Sequence, residues 1–137
     1  MNPTFADSIR QTVAAALAED VGPGDLTAQL VPAAARGRAR VITREAGVLC
    51  GSAWVDAVFA ALDPAVLITW HATDGASLVP GQLLLVAEGP ARPLLTGERT
   101  ALNFLQTLSG TATAAQRYMA AIAGTGCRIL DTRKTIP

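Results

Sequence analysis

Lysine is almost missing from this sequence: of its eleven basic residues all but Lys134 are arginine. A bias toward arginine codons accounts for the ratio. It still makes the one ammonium notable, because a guanidinium is a poor substitute for a compact, mobile point charge. Histidine is as scarce. His71 stands alone, with no cysteine close to it in sequence, which removes the usual zinc spacings and leaves a structural reading. Cys50 and Cys127 lie too far apart for a metal or redox motif and read as buried free thiols, in keeping with a reducing cytoplasm. There is no net charge, since 11 acidic residues balance 11 basic ones. A broad basic field of the kind that selects nucleic acid or an anionic membrane is therefore excluded. No apolar run approaches the roughly 20 residues of a membrane span. The opening Met1-Asn2-Pro3-Thr4-Phe5-Ala6-Asp7 lacks the basic and apolar regions of a secretory signal. A soluble, cytoplasmic protein is expected. Aromatics make up only 4% of the chain, so alanine, leucine and valine must supply the core.

What is present has room for one core. The spacing of Ile9, Val13, Ala16 and Leu17 predicts a helix over 7–19, with Thr4 to Asp7 resembling a capping box. Glu19-Asp20-Val21-Gly22-Pro23-Gly24-Asp25-Leu26-Thr27 follows, a glycine-rich loop with three carboxylates. Its spacing is not that of an EF-hand, and it reads as a turn whose Asp and Thr side chains hold backbone N–H groups. Residues 38–44 alternate as a half-exposed strand, with Arg38, Arg40 and Arg44 forming a solvated face. A short strand is expected at 48–50. Ser52 is expected to cap a helix that ends at Asp63-Pro64, and a strand is expected over 66–71. Turn-rich 74–82 feeds the apolar run 83–87. That pattern resembles the hairpins of biotinyl and lipoyl carrier domains, but no lysine stands at the tip, so carrier chemistry is excluded. Pro93 opens a helix to Leu108, Ser109-Gly110 interrupts it, and a second helix over 111–123 buries Ala115, Tyr118, Met119 and Ile122, stopping at Gly124-Thr125-Gly126. Cys127-Arg128-Ile129-Leu130 reads as a short buried strand.

At the end of that strand stand Thr132, Arg133, Lys134 and Thr135. Sites collect at the C-terminal ends of strands in parallel α/β folds. A guanidinium suits a carboxylate, an ammonium suits a phosphate, and neighbouring hydroxyls complete the hydrogen bonds. Taken alone the tetrapeptide is weak, and a basic loop tip is the better explanation of it.

The wider context is more specific. The Glu19–Thr27 stretch, Glu98-Arg99-Thr100-Ala101-Leu102-Asn103, Leu108-Ser109-Gly110-Thr111-Ala112-Thr113 and Asp131-Thr132-Arg133-Lys134-Thr135-Ile136-Pro137 together resemble quinolinate phosphoribosyltransferase, also called nicotinate-nucleotide pyrophosphorylase (carboxylating). The resemblance spans nearly the whole chain, in order, but only about the first half of the family's usual length.

It implies a reaction of quinolinate with phosphoribosyl pyrophosphate and Mg²⁺, giving nicotinate mononucleotide, pyrophosphate and CO2 in de novo NAD synthesis. It also implies an α+β chain: an N-terminal hammerhead-type α/β sandwich over residues 1–108, then at 109–137 a connecting helix and the first strand of an incomplete α/β barrel. Subunits would pair as a homodimer or higher homo-oligomer, each N-terminal domain closing its partner's barrel. Arg99 would bind a substrate carboxylate in the partner subunit's site. Arg133 would bind quinolinate in its own subunit, Thr132 would be a further substrate-binding residue, and Lys134 would lie near both substrates as the catalytic lysine. The family's later His-Arg pair, second lysine and metal-facing acids have no counterpart here, so the Mg²⁺ ligands are expected elsewhere and this chain alone is expected to be inactive. A standalone dimerisation or binding module remains a competing reading. So does a relative in the same superfamily, either associated with molybdenum transport or acting on nicotinate.

Overall fold

The structure is a computed structural model that describes residues 3–22 and 24–130. Its elements, in chain order, are α1 (Pro3–Val21), α2 (Leu26–Gln29), β1 (Arg36–Ile42), β2 (Gly47–Val48), α3 (Ser52–Leu62), β3 (Leu67–Trp70), β4 (Ser77–Leu78), β5 (Leu83–Pro90) and α4 (Ala91–Ala121). The architecture is mixed α+β.

β5 lies at the centre of an antiparallel sheet of order β1-β5-β3. Its run of Leu84, Leu85, Val86 and Ala87 is buried, as a central strand with few polar residues must be. The register sets the two faces. Ala39, Ala87 and Ile68 share one row, and Val41, Leu85 and Trp70 the next. These rows face the helical layer, where Leu85 joins Val55, Val58, Phe59, Ala101 and Leu105 in the core. Arg38, Glu88 and Leu67 share a row of opposite orientation, and Arg38 Nε lies 2.7 Å from Glu88 Oε1. The arginines of β1 thus form a solvated strand face, as the alternation predicts.

The helices cross closely because one residue has no side chain. A Cβ on Gly97 of α4 would stand 2.8 Å from both Leu62 Cδ1 and Phe59 Cε1 of α3. α1 packs on α3 through Ile9 and Val13, with Phe5 edge-on to Trp54 at a centroid distance of 5.6 Å. A two-stranded ladder of β2 and β4 closes one end of the body. It is joined to α4 by side chains: Thr113 Oγ1 accepts from Val48 N at 2.9 Å, and Ser109 Oγ accepts from Cys50 N at 3.0 Å. Gly47 admits this contact, since a Cβ there would meet Thr113 Oγ1 at 2.7 Å.

Several expectations change. α1 begins before the expected cap, so Thr4 lies inside the helix, and Asp7 instead pairs with Arg10 one turn later. Ser52 is the first residue of α3, not its cap. The carboxylate of Asp74 accepts from the N–H groups of Gly51 and Ser52, both at 3.1 Å, and places a negative charge at the helix N-terminus. β4 and β5 do not form a carrier-type hairpin; β4 pairs with β2. No break occurs at Ser109-Gly110: α4 is one helix of 31 residues. Beyond Thr113 it turns away from the body, with Gln116 Nε2 still donating to Ser77 Oγ at 3.3 Å, and Ala115, Tyr118 and Met119 are exposed, not buried. Residues 127–130 form no strand, because no described strand is there to accept their hydrogen bonds. The expected start of a barrel is therefore not seen among the described residues. Both cysteines are free, but Cys50 is half-buried and Cys127 exposed.

Candidate functional site

Arg99 stands where the end of α1, the loop after it and the first half of α4 meet. Asp20, in the last turn of α1, forms an ion pair through Oδ1 with Arg99 Nη2, and its Oδ2 accepts from Thr100 Oγ1 at 2.8 Å. Arg99 Nη2 also donates to the backbone oxygen of Asp20 at 3.2 Å. Carbonyls at a helix C-terminus lack an intrahelical donor and favour a cation, so the guanidinium satisfies both demands. The contacts are graded in depth: Thr100 is 4% exposed, the Asp20 side chain 16% and the Arg99 side chain 75%.

A matching pair lies one turn earlier on α4. Thr96 Oγ1 donates to Asp25 Oδ2 at 2.9 Å, while Asp25 Oδ1 accepts from Ala28 N at 2.9 Å and caps α2. Arg92 fixes the following segment by donating from Nε to Val31 O at 2.8 Å and from Nη2 to Gln29 O at 3.2 Å. The Arg99 hydrogen bond, then that of Thr100, holds the Asp20 carboxyl below the usual carboxylate range. Asp25 is lowered first by the Ala28 N–H and then by the Thr96 hydroxyl. The Asp20 hydrogen bond in turn pushes Arg99 up.

Asp20, Asp25, Thr96 and Arg99 line an open cleft of about 500 Å3, with Val21, Leu26 and Leu95 as its apolar part. Both carboxylates are held ionised and already hydrogen-bonded, so neither is suited to move a proton. Arg99 is the one cation among the residues that line the cleft. Arg99 Nε and Nη1 have no partner among the described residues, whereas Nη2 is fully engaged. Such a rim fits an anionic group, above all a carboxylate. Among the described residues no group of three or more His, Cys, Asp or Glu could hold a metal ion. Each oxygen of Asp20 and Asp25 already accepts a hydrogen bond or ion pair from Arg99, Thr100, Ala28 or Thr96, so neither carboxylate offers magnesium a free oxygen. A second cavity, about 40 Å3 between the sheet and α3 and α4, is walled by Val41, Val55, Leu85 and their neighbours, and is a gap in the core.

Of the residues singled out in the sequence, Arg99 is placed by the structure. Thr132, Arg133 and Lys134 lie outside the described residues. The structural reading of the carboxylate loop fits what is seen at Asp25, whose side chain holds a backbone N–H. Sequence reasoning missed Asp20, Thr96 and Thr100 as partners of the site. A signal existed: Thr96 and Thr100 are four apart on one helix and so share a face.

The fold is that of a mixed α+β domain with an arginine held at the rim of a cleft. The profile described as quinolinate phosphoribosyl transferase, N-terminal domain, matches residues 25–109, and the chain belongs to that family. It is 40% identical over 121 residues to a probable nicotinate-nucleotide pyrophosphorylase (carboxylating) of Synechocystis, covering 88% of this chain and 41% of that one. The nicotinate-nucleotide pyrophosphorylase (carboxylating) of Mycobacterium leprae is also 40% identical, with 96% of this chain and 48% of that protein covered. The solved nicotinate-nucleotide pyrophosphorylase of Francisella tularensis superposes with a TM-score of 0.92 at 40% identity, over 96% of this chain and 48% of that chain. The chain thus spans less than half the length of the curated relatives it matches. No helix among the described residues is long and apolar enough to cross a membrane.

Proposed function

We propose that this chain works as the N-terminal portion of a cytoplasmic quinolinate phosphoribosyltransferase, which transfers phosphoribose from phosphoribosyl pyrophosphate to quinolinate with decarboxylation in NAD synthesis. The observation that carries the reading is Arg99, a guanidinium held at the rim of an open cleft in a domain of this family. Quinolinate has two carboxylates and its co-substrate a phosphate and a pyrophosphate, so the site needs several fixed cations. Arg99 supplies one, to the site of a partner subunit in a homodimer or larger homo-oligomer. Arg133 and Thr132 bind quinolinate in their own subunit, and Lys134 serves as the catalytic cation beside both substrates. The barrel begins within residues 109–137, and the Mg²⁺ ligands lie in the part of the relatives' length that this chain does not span.

On this reading the 137-residue chain has no activity alone. Incubated with quinolinate, phosphoribosyl pyrophosphate and Mg²⁺, it should release no nicotinate mononucleotide on chromatography, whereas the native enzyme carrying this sequence should. Turnover by the short chain overturns its inactivity, and an inert native enzyme overturns the whole reading. The exposed second half of α4, with Tyr118 at 67% and Met119 at 54%, favours a second reading as a self-associating module. Light scattering after size exclusion tests it, and a monomer at all concentrations removes it.

A further inference from the structure

The reading of Arg99 leaves open why an arginine so exposed should keep one geometry. A long side chain at 75% exposure ordinarily samples many rotamers, and a surface ion pair restrains it little. Here the acid is the less mobile partner. Asp20 is 16% exposed, sits in the last turn of α1, and has its far oxygen taken by Thr100, which is buried in α4. The guanidinium is held at two points, a carboxylate oxygen and the backbone oxygen of the same residue, and both engage Nη2. Asp25 and Thr96 dock the loop on α4 one turn before, so the base of the arrangement cannot slide.

We propose that Asp20, braced by Thr100, is the positioning residue for Arg99, holding Nη2 so that Nε and Nη1 are left to donate to a carboxylate of the substrate. The inference rests on Arg99 as a diacid-binding residue. Asp20 touches no substrate and acts only through the arginine. Its negative charge does not cancel the site, because the geometry uses one nitrogen and leaves the others. Nearby Glu19 and Asp25 add negative potential, and Asp25 is already committed to Ala28 N and Thr96. An Arg99 freed from Asp20 would have to be immobilised by the substrate itself, and that loss falls on binding rather than on the chemical step.

The test is steady-state kinetics of the native enzyme carrying this sequence, with quinolinate and phosphoribosyl pyrophosphate varied in turn. Asp20→Ala should raise KM for quinolinate about tenfold, with kcat within about twofold and KM for phosphoribosyl pyrophosphate unchanged. Asp20→Glu should recover part of the loss, since it restores the carboxylate. A merely structural role would lower the active fraction and kcat without moving KM, and that result overturns the proposal. So does a fall in KM, which would mean that Asp20 competes with the substrate. If Asp20→Ala does not fold, Thr100→Val removes the brace alone and should raise KM for quinolinate about two- to fivefold; an unchanged KM there also overturns it. Arg99→Lys separates the two levels. If it leaves KM for quinolinate unchanged, the reading of Arg99 fails. If it raises KM while Asp20→Ala does not, only the positioning role fails.

Discussion

The two halves of α4 have similar backbones and opposite surroundings. Up to Leu105 the helix is gripped: Leu94, Gly97 and Ala101 are buried against the sheet and α3, and Thr100 is buried where α1 ends at Asp20. From Ser109 onward it is held only by scattered polar contacts, the hydroxyls of Ser109 and Thr113 and the amide of Gln116, which donates to Ser77 Oγ at 3.3 Å. The second half stays helical because its own hydrogen bonds continue and because Ala112, Ala114, Ala115, Ala120 and Ala121 favour the conformation. Helicity and placement are therefore separate properties here, and only the first half has both.

The largest effect is expected in the gripped half's contact layer. Leu85→Ala should cost about 2–5 kcal/mol, read from the urea midpoint, because the wall of a close-packed core does not collapse onto the space left. A loss below 1 kcal/mol would mean that the sheet and α4 are less tightly joined than their burial indicates. The hydroxyl link comes next. Thr113→Val keeps the shape but removes the acceptor of the Val48 N–H, and should cost about 1–2 kcal/mol with loss of amide-exchange protection at Val48. If protection persists, β2 is held by β4 alone.

Acid should sharpen the contrast from the other side. The folded-state carboxyls of Asp20 and Asp25 lie below their ordinary value of 3.8. The stability they contribute is complete above that value and is lost as pH falls through the lowered folded values. The urea midpoint should therefore drop between about pH 5 and about pH 2, and drop less in Asp20→Asn, where Asp25 alone remains. An equal drop in both proteins would assign the effect to other acids. The smallest effect belongs to the ungripped half: Tyr118→Ala should change stability by no more than about 0.5 kcal/mol in thermal melts. A larger loss would show that something covers this face in solution.

Much of this was legible in the residues. The apolar run at Leu83–Ala87 pointed to a buried strand, the alternation around Arg38 to a half-exposed one, and Asp63-Pro64 to the end of α3. All three rest on local patterns that tertiary packing merely accepts. The errors have tertiary causes. Ser52 looked like a cap because the sequence does not show that Asp74 comes within reach of the same N–H groups. Ser109-Gly110 looked like a break because propensity disfavours the pair, yet Ser109 is stitched to Cys50 and the helix runs through. Tyr118 and Met119 looked buried because periodicity reports an apolar stripe and not whether a neighbour exists to meet it. Of the candidate site, Arg99 was found through the motif around it, and its bond to Asp20, 79 positions earlier, has no local sign.

The close crossing at Gly97, where α4 meets Phe59 and Leu62, is the first of a row of clamps along one beam. Ser109, Thr113 and Gln116 add holds on Cys50, Val48 and Ser77 further along. At 1.5 Å per residue, Gln116 lies about 25 Å beyond Arg99. A load on the overhanging tip must pass every one of these clamps before it reaches the cleft, so the geometry at Arg99 is insulated from whatever the tip meets.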